Sequence, residues 1–369
     1  MTLPDDRPLR LLFAIQEGGG NGAAYSSLHL AIGLARRGVH VRFVCRAGSE
    51  VEALARDGGL ETHPFEFRKC RRENAAALAA LMARHPVDLA SSQSSKDRNA
   101  LTWLALTRRL QVPYTVTRRQ MPHSSPIDVW LTGRLAARTI AVSRGVADAL
   151  IRRGAPREKV VVIPNGLITA RVDRPVDPAE VRGWRERIGW TPDRPTLGIV
   201  SRPKDQHVVM EALRRVRTPV RLVMAGIPAD HHLNQLAASV PEPHAVVAFP
   251  FDTNIRPLYE LLDWVLLPSR MEGLSQALLE AMALGKPVIA SNAAGNPDLV
   301  RHHENGLLVP PLDRSAWAAA IETAATDQTL GPRLGEAARR TAREEFALDR
   351  TVERTLACYR EVVGERPQD

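Results

Sequence analysis

The chain has 369 residues, of which 44% are hydrophobic and 25% charged, which is the composition of a globular protein long enough for two domains. Its three cysteines, Cys45, Cys70 and Cys358, lack the spacing of metal ligands, which argues against a disulfide framework or zinc site and favours a reducing compartment. The net charge is +9, and residues 1–170 carry 25 Lys and Arg against 14 Asp and Glu. This basic half predicts either an anionic partner or an arginine-rich solvated surface, and with 5% aromatic residues it does not favour nucleic acid.

The amino-terminal stretch has neither the apolar segment of a signal peptide nor the length of a membrane span. Residues 1–10 contain two aspartates and two prolines, and the apolar run that follows covers only residues 11–15. No membrane crossing is therefore expected in this stretch, and the scattered thiols with their reducing compartment predict the cytoplasm as the location.

The first elements predict a strand, a glycine-rich loop, a helix and a second strand. The loop follows the strand at residues 11–15 and includes Gly18, Gly20 and Gly22; the next strand is predicted at residues 41–45. Glycines at the carboxyl end of a parallel strand allow a ligand to approach the backbone. The spacing Gly18-x-Gly20-x-x-Ala23 formally fits a dinucleotide fingerprint, but the second strand offers no acidic residue for a ribose, which disfavours NAD.

The same alternation continues with helices predicted at residues 75–85 and 100–110 and strands at residues 87–91 and 113–117. Both strands run into polar segments, residues 91–97 and 117–123. These segments are interpreted either as ordinary turns or as a pocket in which Lys96, Arg118 and Arg119 meet an anionic group of an acceptor.

A stretch rich in Pro, Asp and Arg at residues 169–194 predicts an interdomain linker with a short helix. After it, a strand at residues 196–201 is followed by Arg202 and Lys204 and then by a helix at residues 208–215. Two cations at a strand end can neutralise a diphosphate without a metal ion; the alternative is two surface cations.

The segment at residues 265–287 predicts a buried strand, a tight loop and a short helix. Pro268 ends the strand, Gly273 permits the turn, Ser275 caps the helix, and Gly285 with Pro287 ends it. Glu272 precedes the helix and Glu280 lies about one turn inside it, so both carboxylates are expected to border one crevice. Free amides at the helix start suit an anion and carboxylates suit sugar hydroxyls, a combination that fits a phosphorylated sugar; the alternative is a solvated surface helix.

Glu272 and Glu280, with the flanking Leu267-Pro268-Ser269 and Glu280-Ala281-Met282-Ala283-Leu284-Gly285-Lys286-Pro287, closely resemble the E-x7-E signature of glycosyltransferase family 4. Further likeness to that family occurs in Asn21-Gly22-Ala23, Val162-Ile163-Pro164-Asn165-Gly166, Ala294-Gly295-Asn296-Pro297-Asp298 and Asn305-Gly306-Leu307-Leu308-Val309. The resemblance implies the GT-B fold: two Rossmann-like, doubly wound α/β domains facing an interdomain cleft.

The resemblance also implies roles for individual residues. The catalytic group comprises Glu272 at the donor sugar and Arg202 and Lys204 at the leaving phosphate. Donor binding falls to Gly20, Gly22, Phe251, Gly273, Leu274, Ser275 and Glu280, with Glu280 on the ribose hydroxyls. The acceptor-side candidates are Gln93, Lys96, Arg118, Arg119, Gln120 and His123. Gln93 and Gln120 stand where the family carries histidine, and His123 lies three residues after Gln120.

The expected domains are residues 1–168 on the acceptor side, a linker at 169–194, a nucleotide-sugar-binding domain at 195–350, and a final helix at 351–369 that crosses back to the first domain. The implied activity is metal-independent, retaining transfer of a sugar from a nucleotide sugar to a hydroxyl of a glycan or lipid-linked acceptor, in synthesis of envelope lipopolysaccharide or polysaccharide. The alternatives are a nucleotide-sugar epimerase on the same fold and a nucleotide-binding protein without transfer. Peripheral contact with an anionic membrane at its inner face is a further expectation.

Overall fold

The computed structural model describes residues 7–364. They form two compact units: unit 1 contains the described residues up to Gly166 and those from Leu348 onward, and unit 2 is Leu167–Ala347. Residues 169–194 belong to unit 2 in this division. The first six and last five residues lie outside the described range, which removes part of the expected final helix and part of the amino-terminal stretch at residues 1–10. The predicted domain boundaries stay a prediction.

Unit 1 is built on a seven-stranded sheet in which every pairing is parallel. Its strands run in the order β3-β2-β1-β4-β5-β6-β7. The central strands are short and buried on both faces, as a parallel sheet covered by helices requires. The strands are β1 (Arg10–Ala14), β2 (His40–Arg46), β3 (Glu61–Phe65), β4 (Leu89–Ser92), β5 (Tyr114–Arg118), β6 (Arg138–Ala141) and β7 (Val160–Val162).

The helices of unit 1 connect successive strands, and the last helix of the chain joins them. In chain order they are α1 (Gly22–Arg36), α2 (Glu50–Asp57), α3 (Arg71–Arg84), α4 (Ser95–Leu106), α5 (Pro126–Leu135), α6 (Arg144–Arg152), a 3₁₀ turn (Arg157–Lys159) and α16 (Leu348–Val363). Val352, Leu356 and Tyr359 of α16 are buried in the same core as β1, β2 and α1. The Tyr359 hydroxyl lies 2.7 Å from Ser91 Oγ at the end of β4. The final helix therefore completes the core of unit 1.

Unit 2 contains a six-stranded sheet, also parallel throughout, in the order β10-β9-β8-β11-β12-β13. Its strands are β8 (Thr196–Val200), β9 (Arg221–Ala225), β10 (Ala245–Phe249), β11 (Trp264–Leu267), β12 (Val288–Ser291) and β13 (Leu307–Val309). The helices are α7 (Thr169–Val172), α8 (Pro178–Ile188), α9 (Gln206–Leu213), α10 (Leu233–Ala238), α11 (Arg256–Glu260), α12 (Gln276–Ala283), α13 (Asn296–Leu299), α14 (Arg314–Thr326), α15 (Leu330–Arg340) and a π-helical turn (Thr341–Glu345).

Two sequence predictions about elements need correction. The segment at residues 169–194 contains two helices, α7 and α8, instead of one, because Trp184 and Ile188 are buried and anchor α8. The polar segment at residues 91–97 is a loop only at its centre, since Lys96 lies in the first turn of α4, whose cap is Ser94. No helix among residues 7–364 combines the length and apolarity needed to cross a membrane.

Each sheet changes the direction of its strand order at one point. In unit 1 the change falls between β1 and β4, and in unit 2 between β8 and β11. Loops that leave neighbouring strands at such a point diverge to opposite faces of the sheet and open a crevice at the carboxyl edge, where α/β proteins bind ligands. A ligand site is therefore expected at the loops that follow β1 and β4 in unit 1 or β8 and β11 in unit 2.

Candidate functional site

The predicted cation pair and the first predicted carboxylate lie on the two loops of unit 2 that flank its change of strand order. Arg202 and Lys204 follow β8, and Glu272 follows β11. The Lys204 ammonium contacts Glu272 Oε1, so residues 68 positions apart meet at the carboxyl edge of the sheet. The side chains of Lys204 and Glu272 are 28% and 12% exposed.

The helix after Glu272 has the geometry that the sequence predicted. Ser275 is its N-cap and accepts a hydrogen bond from the Leu278 amide at 3.3 Å, which confirms the predicted cap. The helix ends at Ala283, and Gly285 has a φ of +75°, a conformation in which glycine is favoured. Gly273, Leu274 and Ser275 are buried beside the helix start, where the macrodipole favours negative charge.

Hydrogen bonds from the neighbouring strand end hold the loop that carries Glu272. The Ser269 amide donates to Ser291 Oγ at 3.1 Å, and the Gly295 amide donates to the Glu272 carbonyl at 3.2 Å. The fully buried Asn296 side chain donates to the carbonyls of Ser269 and Ser291. Because these bonds come from β12 and the segment after it, the loop position is set by the sheet.

A second set of bonds joins the β11 loop to the β8 loop. The Arg270 amide donates to Asp205 Oδ2 at 3.0 Å, and the Arg270 guanidinium pairs with Asp205 Oδ1 at 3.0 Å. The Asp205 amide in turn donates to the Pro268 carbonyl at 3.2 Å. Lys204, next to Asp205, is therefore held at a defined place opposite Glu272.

Glycine is required where β9 passes the Lys204 loop. Gly226 has a φ of +109°, and a Cβ atom there would lie 2.6 Å from the Ser201 carbonyl oxygen. On the other side of the loop, the buried Gln206 side chain donates to Ser201 Oγ at 3.1 Å and to the Arg202 carbonyl at 2.8 Å. The backbone that presents Arg202 and Lys204 is therefore packed between these two residues.

The electrostatics of Lys204 differ from those of a surface lysine. Burial lowers the pKa of its ammonium to about 8, the neighbouring positive charge of Arg202 acts in the same direction, and Asp205 opposes them. An anion arriving beside Lys204 would favour the charged form and raise this pKa. Lys204 is therefore suited to a ligand that brings negative charge.

The second predicted carboxylate, Glu280, is buried in α12 and paired with a residue that the sequence had not singled out. Arg171 Nε of α7 lies 2.7 Å from Glu280 Oε1, and the Glu280 side chain is 9% exposed. Burial raises the pKa of the Glu280 carboxyl, and Arg171 opposes that rise. Each predicted carboxylate therefore contacts a different cation, Glu280 the guanidinium of Arg171 and Glu272 the ammonium of Lys204.

The remaining predicted donor residues occupy different settings. Phe251, in the segment after β10, is 56% exposed. In unit 1, Gly20 precedes α1 and Gly22 is its first residue; Asn21 between them caps the helix by accepting from the Ala24 amide at 2.8 Å. A donor role for these residues stays a prediction.

Two acceptor-side candidates, Gln93 and Arg119, contact each other in the interior of unit 1. Arg119 donates to Gln93 Oε1 at 3.0 Å and also bonds Asn165 Oδ1. The Gln93 amide group donates to Ser91 Oγ at 2.9 Å. Burial lowers the pKa of Arg119 to about 10, yet the group stays charged at neutral pH. Both side chains are thus engaged with protein partners at the ends of β4 and β5.

The other acceptor-side candidates differ in exposure. Burial and the nearby charges of Arg98 and Arg153 lower the pKa of Arg118 to about 9. Lys96 donates to the Phe67 carbonyl at 2.8 Å, whereas Gln120 and His123 are exposed after β5. Among residues 7–364, no cluster of three or more His, Cys, Asp or Glu side chains is placed to hold a metal ion.

Sequence reasoning missed Arg171, Asp205, Arg270 and Asn296, whose side chains contact a predicted site residue or bond the loops that carry one. Asn296 carried a signal, since it lies in the segment Gly295-Asn296-Pro297-Asp298 that resembles the family. Asp205 and Arg270 adjoin predicted loops but pair across them, which no local pattern reveals.

Comparison with solved structures identifies the fold of this chain. The structure resembles that of Anabaena HepE in complex with UDP and glucose, with a TM-score of 0.82 over 96% of this chain and 100% of the other, at 22% sequence identity. This likeness establishes the fold: the two Rossmann-like parallel α/β units are those of the GT-B fold, which confirms the predicted fold class.

The sequence then identifies the family. A profile described as Glycosyltransferase Family 4 matches residues 20–171, and one described as Glycosyl transferases group 1 matches residues 194–327. The chain therefore belongs to glycosyltransferase family 4, as the E-x7-E resemblance predicted.

Two curated relatives agree with this assignment. The putative glycosyltransferase EpsD of Bacillus subtilis is 34% identical over 220 residues, covering 58% of this chain and 57% of EpsD. The D-inositol 3-phosphate glycosyltransferase of Jonesia denitrificans is 31% identical over 218 residues, covering 55% of this chain and 51% of the relative. The chain thus matches about half the length of each of these relatives.

Proposed function

We propose that this glycosyltransferase moves a sugar from a nucleotide-sugar donor to a hydroxyl acceptor with retention of anomeric configuration. The observation that carries the proposal is the meeting of Lys204 and Glu272 at the change of strand order in unit 2, beside the start of α12. A cation and a carboxylate held at one carboxyl edge match the two ends of a sugar diphosphate. That HepE forms a complex with UDP and glucose supports the same donor class.

In the proposed reaction, Arg202 and Lys204 stabilise the negative charge that develops on the leaving β-phosphate, assisted by the amides of Gly273, Leu274 and Ser275. Glu272 binds the donor sugar and stabilises its developing positive charge. Glu280 accepts hydrogen bonds from the ribose hydroxyls. The departing phosphate oxygen takes the proton of the acceptor hydroxyl, so no separate carboxylate pair for acid and base catalysis is required.

Metal independence is part of the proposal. Two cationic side chains on a fixed loop supply the charge that a divalent cation would otherwise bring to a diphosphate.

The first test is binding and turnover with defined nucleotides. Among UDP, GDP and ADP, the nucleotide with the matching base is expected to raise the free energy of unfolding by about 2.7 kcal/mol at 100 times its Kd, because it binds only the folded state. Thermal-shift measurement with all three nucleotides reveals that base. The corresponding nucleotide sugars are then followed by NMR with an acceptor panel. Epimerised donor without transfer, or tight nucleotide binding with no sugar released, would contradict the proposal.

The acceptor is proposed to be an envelope glycan or a lipid-linked saccharide, reached from the cytoplasm at the inner face of the membrane. Support comes from the charge surplus of residues 1–170 and from an exposed apolar pair on α5: Ile127 is 73% exposed and Trp130 is 48% exposed. The exposed arginines Arg134, Arg152 and Arg157 follow within the same part of unit 1. A tryptophan with a neighbouring aliphatic side chain and cations is the usual composition of a membrane-interface contact.

Replacing both apolar residues of α5, by Ile127→Ser with Trp130→Ser, is expected to weaken binding to phosphatidylglycerol vesicles at least tenfold, since each fully buried apolar side chain contributes about 1.5–3 kcal/mol and about 1.4 kcal/mol is tenfold in affinity. Phosphatidylcholine vesicles should bind either protein weakly, and added salt should weaken the wild-type interaction. Leu54→Ser on α2, where Leu54 is 36% exposed, is the matched control. Equal sedimentation of the double variant and the wild type would contradict membrane contact through α5.

A further inference from the structure

Glu280 has an unusual position for a residue that meets ribose hydroxyls. Its side chain is 9% exposed, and it lies inside α12 beside Tyr259, a fully buried phenol of α11 whose pKa the carboxylate helps to raise. A carboxylate in such surroundings tends to take up a proton, because burial penalises its charged form. A protonated carboxyl is a weaker hydrogen-bond acceptor than a carboxylate. A role on the ribose therefore requires a neighbouring cation that keeps the Glu280 carboxylate ionised and oriented.

Arg171 supplies a positive charge beside the Glu280 carboxylate. Its Nε atom lies 2.7 Å from Glu280 Oε1, and it opposes the effect of burial on the carboxyl group. The contact therefore favours the ionised form of Glu280 and restricts the orientation of its carboxylate.

The helix that carries Arg171 is itself fixed on both sides. Arg256 Nε donates to the Val172 carbonyl at 3.0 Å, and the Arg343 guanidinium bonds Asp173 Oδ1 at 2.7 Å. Arg343 also donates to the Ala283 carbonyl at 3.1 Å, at the end of α12. Because α7 is tied to the helix that carries Glu280, the distance between Arg171 and Glu280 does not depend on a loosely held surface side chain.

We infer that Arg171 is a positioning residue for nucleotide recognition, which holds the Glu280 carboxylate so that it accepts the ribose hydroxyls of the donor. The inference rests on the proposed function and names a residue that acts through Glu280 without touching the reacting atoms. Its effect should appear in the binding of the nucleotide and in the discrimination of its ribose, and much less in the chemical step.

The test measures Kd for UDP, GDP and ADP and for their 2′,3′-dideoxy analogues. The wild type is expected to prefer the ribose form of its base by about 10- to 100-fold, the value of hydrogen bonds to a charged group. Arg171→Ala should remove most of this preference and raise the donor KM with little change in kcat. Arg171→Lys should restore part of it. Arg182→Ala, an exposed arginine of α8, is the matched control and should behave as wild type.

A double-mutant cycle separates positioning from simple structural damage. If Arg171 acts through Glu280, then Arg171→Ala with Glu280→Gln binds ribonucleotide no more weakly than Glu280→Gln alone. Additive losses in folded, cooperatively melting variants would overturn the inference, as would tighter nucleotide binding by Arg171→Ala or an unchanged ribose preference. Wild-type protein that binds the matching nucleotide without any ribose preference would overturn it too. If the wild type bound none of the three nucleotides, that result would instead refute the proposed function on which the inference stands.

Discussion

Glu272→Gln is expected to lower kcat with a nucleotide-sugar donor by about 10²- to 10³-fold, the effect of removing one preorganised electrostatic contact to a transition state. The amide keeps the shape of the side chain but removes the charge that would stabilise the developing cationic sugar. Because the surrounding loop is held by Ser291, Gly295 and Asn296, its backbone should not move. Steady-state kinetics with the nucleotide sugar identified by thermal shift gives the measurement.

The matched control for this variant is Glu186→Gln, which changes an exposed acid of α8 in the same unit. It should leave both kcat and KM unchanged. A Glu272→Gln enzyme with wild-type kcat, together with an unchanged melting temperature, would show that the carboxylate does not take part in the reaction.

The second large effect is expected at Lys204. Lys204→Ala should reduce kcat/KM by about 10²–10³-fold, since it removes a cation from the proposed leaving phosphate.

The wild type should also lose activity at alkaline pH. In the enzyme without ligand, burial lowers the pKa of Lys204 to about 8, so its ammonium is present below that pH and is lost as the pH rises through it. The value of kcat/KM should therefore fall above about pH 8. A pH profile of kcat/KM between 6 and 10 measures this limb.

Lys204→Arg isolates the cause of the alkaline limb, because a guanidinium stays charged over this pH range. The variant should retain part of the activity and lose the decline above about pH 8, whereas the control Arg215→Ala, at an exposed arginine after α9, should keep the wild-type profile. An unchanged alkaline limb in Lys204→Arg would assign it to another group. Full turnover in Arg202→Ala would likewise contradict the role of the cation pair.

The parts of the site that sequence could predict are those whose causes are local. The strand, the turn at Gly273, the cap at Ser275 and the helix end at Gly285 all follow from neighbours within a few residues. The alternation of apolar strands with helices similarly predicted an α/β fold, and the family resemblance implied its division into two doubly wound domains.

The parts that sequence could not predict depend on contacts across the fold. Arg171 and Glu280 are 109 positions apart, and the polar composition around Arg171 indicated a linker with one short helix. The segment forms two helices, and Trp184 and Ile188 of α8 are buried. Gln93 and Arg119 were predicted to face an acceptor. The structure shows that they bond each other inside unit 1, where a buried guanidinium requires acceptors, and their acceptor-side role stays a prediction.

The return of α16 to unit 1 has a consequence for biosynthesis. A ribosome delivers β1–β7 first, then all of unit 2, and only at the end the helix that carries Val352, Leu356 and Tyr359. Until then the face of α1 that packs on α16, including the surface at Gly33 where a Cβ atom would lie 2.5 Å from Val352 Cγ2, remains uncovered. The nascent first unit therefore exposes apolar surface for as long as about 180 residues take to be translated, at roughly 5–20 residues per second. During that interval this apolar surface is open to non-native association.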